Sequence, residues 1–174
     1  PPAARKIREL VYNAFMLEDH ALHVFVLGGP DFIVGPEAPP AERNIVGVIG
    51  KVGLEAGKRV LTTRRRVREL IAYFGGKVVH PVLGLPGGVS KALDPAELPK
   101  FKQLAKDAVE FAQWTVDVLK KIVLGNPEYV KMITSDAFTH KTCYMGMVDE
   151  QNRVNFYDGK LRVVDCNGKE ICKF

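Results

Sequence analysis

The 174-residue chain has few of the side chains that usually carry chemistry. Its three cysteines, Cys143, Cys166 and Cys172, crowd the C-terminal end, and none forms C-x-x-C. That excludes a zinc knuckle or a dithiol pair of ordinary spacing, and reduced thiols in a cytoplasmic setting are the expectation. No run of about eighteen apolar residues exists, so no membrane partner is expected. No charged-then-apolar leader opens the chain, and nothing points to export. Also missing are the phosphate loop G-x-x-x-x-G-K-S/T, a G-x-G-x-x-G after a strand, and the nucleophile turn G-x-S-x-G. Composition is otherwise ordinary, 47% hydrophobic and 26% charged, enough to build one core with a small appendage.

The stretch around which the rest is arranged is Gly75 to Lys91, GGKVVHPVLGLPGGVSK. Gly75-Gly76 is a stop for the helical pattern before it. The Val79-His80-Pro81 sequence pushes His80 towards extended or polyproline backbone, and Pro86-Gly87-Gly88 reads as a tight turn that lets backbone N–H groups approach a neighbour. The segment is apolar and nearly uncharged, so it reads as a buried loop. Its histidine either faces a partner or cofactor, or is a core histidine bonded to a carbonyl.

Before the loop, Ile7, Leu10, Val11, Ala14, Leu17, Ala21 and Val24 recur at helical spacing, which predicts a helix from Ala3 to about Val26 ending at Gly28-Gly29-Pro30. An irregular connection follows over 28–40, with Phe32, Ile33 and Val34 pinned to the core. A long helix is expected from about Ala41 to Phe74. Gly47, Gly50, Gly53 and Gly57 would form a smooth groove on one side of it. Beyond the loop, Asp94-Pro95-Ala96-Glu97 reads as a helix opening; Pro99 can break that first turn, so the main helix is expected to begin there and run to Leu124, stopped by Gly125-Asn126-Pro127. A short helix is expected over Tyr129–Ser135. The tail reads as short strands at Thr142–Val148, Val154–Tyr157, Leu161–Val164 and Glu170–Phe174, with Asp158-Gly159 and Asn167-Gly168 as turns. The fold class is mainly α with a small antiparallel β-meander at the C-terminus (α+β). Residues 1–140 make a helical domain of bundle type carrying the 75–91 loop, and 141–174 the meander.

Glu18-Asp19-His20-Ala21-Leu22-His23 is the one cluster of ligand-type residues. His20 and His23 are helix neighbours that could share a metal, but H-x-x-H without a third ligand is a weak signal. Buried histidines that fix helix packing are the plainer reading, so no metal site is assigned. Arg64, Arg65, Arg66 and Arg68 could meet nucleic-acid phosphate. No aromatic interleaving or binding motif supports that, and no nucleic-acid partner is expected.

Four stretches taken together carry a resemblance: Arg5–Phe32, Glu42–Val52, Gly75–Lys91 and Asn155–Asp165. In this order they resemble the middle of the large subunit of nickel–iron hydrogenases, in the cytoplasmic group that reduces methyl viologen or deazaflavin. The resemblance implies a helical frame of the hydrogenase large-subunit type. It implies a parent that oxidises dihydrogen or reduces protons and passes electrons to an iron–sulfur small subunit. It also implies a nickel–iron centre in the full-length parent, but no cofactor in this segment, because the metal-binding C-x-x-C pairs are not in it. By resemblance, His80 donates a hydrogen bond towards the small subunit's cluster, and Gly87 and Gly88 permit close approach there. The missing N- and C-terminal parts of the large subunit would be further partners, and an isolated fragment would self-associate. The alternative is a non-catalytic relative that binds an iron–sulfur or other protein partner. The chain departs from the family's His-Ser-His-Ala-Leu-His at its first position, where Glu18 stands.

Overall fold

A computed structural model describes Pro1–Phe174, apart from the side chain of Phe138. The chain divides into two compact units, Pro1–Val130 and Lys131–Phe174. The first is helical and the second is built on a three-stranded antiparallel sheet, so the α+β class holds.

Helix α1 runs from Pro2 to Leu22 and does not stop where the glycines and proline predict. It passes into π-helical turns at His23–Gly28 and Pro30–Val34, and the helical path ends only at Gly35. The correction has a steric cause. A proline ring in an α-helix collides with the carbonyl four residues back, whereas a widened turn moves that carbonyl away. Gly29 and Pro30 are both buried, and a Cβ on Gly29 would lie 3.0 Å from the Val24 carbonyl oxygen and 3.5 Å from Val48. The glycine therefore serves close packing here. As expected, Ile33 packs on the core, while Phe32 meets the Tyr129 ring edge-on at 5.6 Å.

The single long helix expected over 41–74 is two helices, α2 (Ile45–Val52) and α3 (Leu54–Gly75). Between them Gly53 has φ 91°, a backbone no side chain adopts easily and no helix passes through. Asn44 starts α2, its side-chain oxygen accepting from the N–H groups of Val46 and Gly47. The expected glycine groove does not form. Gly57 lies against Ile49, Gly47 against the backbone of Glu42, and Gly50 faces open space.

Helix α4 runs from Leu98 to Leu119 and continues as π-helical turns over Lys120–Leu124. Its entry is as read: Asp94 accepts from the Ala96 N–H at the head of a 3-10 turn, Pro95–Glu97. Asn126 then opens α5 (Pro127–Ile133) by accepting from Glu128 and Tyr129.

Helix α1 packs principally on α3, with α4 across them. One buried cluster joins Val11, Val67, Leu70, Ile71, Phe74, Phe101 and Leu104. A second joins Ala21, Phe25, Val60 and Phe111, with Trp114 stacked 5.5 Å from Phe25. Burial of these aromatic and aliphatic groups is the main driving force, on the order of 1.5–3 kcal/mol per large side chain. Two ion pairs align the helices. Arg64 on α3 holds Glu18 on α1 at 2.6 Å with side chains only 15% and 14% exposed, and Arg66 holds Asp107 on α4.

In the second unit β3 (Tyr144–Val148), β4 (Lys160–Val164) and β5 (Glu170–Lys173) form a meander in that order. Gly168, at φ 82°, turns β4 into β5. The expected strand over Val154–Tyr157 is reduced to one bridge, Val154 to Val148, because the chain there is folded around side-chain caps. Asp149 accepts from the N–H groups of Gln151 and Arg153, and Asn155 from those of Tyr157 and Asp158.

Two outcomes are expected. Glu18→Ala leaves the Arg64 guanidinium shielded and unpaired, and should lower the unfolding free energy by about 3 kcal/mol in urea titration. Hydrogen bonds from Gln103 and then Arg66 hold the Asp107 carboxyl below its ordinary 3.8, so its contribution is present above that value and is lost as pH falls through the lowered one. The Tm gap between the wild type and Asp107→Asn should therefore be full at about pH 6 and shrink as the pH is taken below the ordinary 3.8.

Candidate functional site

The loop between α3 and α4 is the most unusual surface of the helical unit, and the structure corrects its expected burial. His80 is exposed, and Val79, Val82 and Leu85 are 62%, 63% and 52% exposed. The loop is nevertheless firmly fixed from beneath. Pro81 lies on Gly75, where a Cβ would collide with its ring. The Val82 N–H donates to the Gly75 carbonyl at 3.1 Å, and Leu83 and Leu93 reach down onto the first core cluster. Strands β1 (Gly84–Leu85) and β2 (Gly88–Val89) form a minimal hairpin around Pro86-Gly87. Gly87 has φ 81°, the conformation that the third residue of a Pro-Gly turn requires. Arg8 of α1 donates to the Gly88 carbonyl at 3.3 Å and ties the hairpin to the bundle. At the far end the Lys91 ammonium sits 3.6 Å from the centre of the Tyr73 ring, whose hydroxyl accepts from the Asp94 N–H.

His80 does not take the extended backbone that its following proline favours. Its φ is 53°, in the left-handed region, where few residues with a Cβ rest without strain. The imidazole is thus aimed outward by the backbone. Gly88 has space around it, with no atom within 4 Å of where a Cβ would be. His80 and the Gly87-Gly88 turn share this one loop.

The other histidines are elsewhere. His20 and His23 are exposed on α1 and its π-helical extension, which corrects the expectation of buried packing residues. The His20 Nδ1 instead lies 2.7 Å from the Met16 carbonyl one turn back, a local bond within its own helix. His23 lines an apolar cavity of about 270 Å3 among the three π-helical segments, with Phe32 and Ile122 in its walls. Cys143 and Cys166 are exposed and Cys172 half-buried, all in the second unit. Among the described residues no group of three or more His, Cys, Asp or Glu side chains converges to hold a metal ion. The ligand chemistry of a nickel–iron centre or an iron–sulfur cluster is therefore not met by the side chains present. No helix of the described residues is long and apolar enough to cross a membrane.

Sequence reasoning missed the Glu18–Arg64 pair. The signal was an acid placed among histidines on the inner side of α1, together with an arginine run on the next long helix. The run is not one basic face. Arg64 turns to α1, Arg66 to α4, and Arg65 to Glu69 on its own helix.

No protein-family profile matches the chain. It is similar, however, to part of several longer hydrogenase subunits. It is 44% identical over 171 residues to the F420-non-reducing hydrogenase iron–sulfur subunit of Archaeoglobus profundus, covering 98% of this chain and 35% of that one. It is 37% identical over 174 residues to the F420-non-reducing hydrogenase vhu subunit of Methanocaldococcus jannaschii, covering 100% and 40%. Against the NAD-reducing hydrogenase HoxS subunit beta of Cupriavidus necator it is 32% identical over 170 residues, covering 94% and 34%. Among solved structures, a NAD+-reducing nickel–iron hydrogenase in its H2-reduced state matches with a TM-score of 0.87 and 27% identity, over 99% of this chain and 37% of that chain. The chain thus spans between a third and two-fifths of the curated relatives' length.

These names correct the large-subunit assignment. None carries it: the relatives are an iron–sulfur subunit, a vhu subunit and a subunit beta. The partner expectation changes with it. In the first of these names, iron–sulfur describes the relative and not its partner, so an iron–sulfur small subunit is not retained as the partner of this chain.

The backbone at position 80 gives a direct check on the loop. His80→Val, β-branched and ill suited to φ 53°, should cost about 1–2 kcal/mol, whereas His80→Gly should be neutral or stabilising. Paired urea titrations read the difference, and equal effects would mean that the left-handed backbone at position 80 is not adopted. What the chain resembles, with its loop fixed below and bare above, is a segment of a hydrogenase subunit.

Proposed function

We propose that this chain is part of a hydrogenase subunit of the vhu or HoxS beta kind, in an oxidoreductase acting on dihydrogen or protons. Its role there is to hold the 75–91 loop rigidly at a face of the complex. The observation that carries this reading is similarity to hydrogenase subunits along 94–100% of the chain, at identities from 32% to 44%. The loop's construction supports it. A segment tied to the core by Pro81, Leu83, Arg8 and Lys91, yet showing His80 and three large aliphatic groups to solvent, is built to meet something.

In this reading a metal or iron–sulfur cofactor of the complex takes its ligands from outside this segment, where the resemblance places the C-x-x-C pairs. What His80 supplies is a hydrogen-bond donor held at a fixed place. Directed at a cofactor's anionic sulfur or oxygen ligands, an imidazole N–H stabilises added negative charge and raises the reduction potential. Gly87 and Gly88, without side chains, let the hairpin backbone lie close alongside.

The experiment is His80→Ala in the full-length subunit within its complex. Metal and iron content should stay the same, while the potential of the nearest redox group, followed by EPR-monitored titration, should fall. An unchanged potential would limit His80 to shaping the loop.

A further inference from the structure

Helix α3 carries a second surface that the hydrogenase reading does not use. Leu61, Arg65, Arg68 and Ala72 recur at intervals of three and four residues and so share one side of the helix, with Arg64 beside them. With Val78 from the loop and Glu69, which lies between Arg68 and Ala72 in sequence, they line a groove of about 310 Å3. Its charges are unevenly neutralised. Arg64 is locked to Glu18, and Arg65 reaches Glu69 at 3.3 Å in an exposed pair of the kind that competes poorly with a better partner. Arg68 is exposed and, among the described residues, meets no carboxylate. The rest of the lining is aliphatic apart from Glu69, which Arg65 neutralises, and Leu61 is 52% exposed.

We propose that this groove docks a segment of a partner polypeptide in which carboxylates flank an aliphatic side chain. Arg65 and Arg68 offer planar forks that pair with carboxylates through two parallel N–H bonds. Leu61, Ala72 and Val78 form the floor for the aliphatic group between them. The mixture selects the occupant. An inorganic anion has no use for the floor, and an apolar helix leaves Arg68 unpaired and shielded from water. The inference does not rest on the hydrogenase assignment and would stand without it.

The test is fluorescence anisotropy with a labelled peptide of alternating glutamate and leucine, titrated with the full-length protein that contains this chain. Its glutamine–leucine counterpart and inorganic phosphate serve as competitors. Binding should weaken about tenfold in Arg68→Gln and in Arg65→Gln, and fall with salt. Lys102→Gln, on α4 and outside the groove, should leave it unchanged. Because Arg68 has no partner to lose, its variant should keep the wild-type Tm, which separates binding from folding. Three results would each overturn the proposal: equal affinity for the glutamine peptide, equal loss in Lys102→Gln, or displacement of the peptide by phosphate at comparable concentration. The second would indicate general attraction to a chain of net charge +5.

Discussion

The helical unit depends on how α1 is set against α3, and one ion pair decides that setting. Glu18 and Arg64 meet where both side chains are largely shut off from water. Apolar contacts between two long helices tolerate sliding by a turn, since one aliphatic ridge resembles the next. A shielded charge pair does not, because any other register leaves a bare charge inside. The pair has a visible penalty: the Arg64 Nε is buried with no acceptor. The core layers above and below then follow, with Val11 against Val67 and Leu70 on one side, and Ala21 and Phe25 against Val60 on the other. Through Arg66 and Asp107 the same helix also positions α4.

Much of this was legible in the sequence because it rests on local rules. The periodic stripe of α1 predicted the face that holds Val11 and Ala21, and Asp94 and the Asn167-Gly168 pair did what their chemistry dictates. The failures share a cause, which is that stop signals are written for α geometry. Gly28-Gly29-Pro30 would end an α-helix, but widened turns carry the chain through, and packing against Ile33 and Val48 favours that course. Gly53 was read as an interior glycine when it is the break itself, and only its positive φ distinguishes the two.

The site was half legible. The turn at Pro86-Gly87 and the isolation of His80 could be read directly, whereas the burial of the loop could not. Hydropathy does not distinguish a residue that faces a core from one left at the surface, and Val79, Val82 and Leu85 are exposed in the described chain. His80 also defied the rule for residues preceding proline, because Pro81 is held against Gly75 and the chain must bend back to reach it. Glu18 showed the opposite case. It looked like an irregularity among histidines, and its meaning lay forty-six residues away, in Arg64.

The loop's anchors are almost all backbone groups, or side chains pointing down: the Gly75 and Gly88 carbonyls, Pro81, Leu83 and the Tyr73–Lys91 clasp. None of the outward side chains at 79, 82 and 85 takes part in holding it; Val82 contributes only its backbone N–H. The path of the loop is therefore independent of the surface it displays. Exchanging those outward side chains should leave the helices beneath as they are, as a tool holder takes different tips.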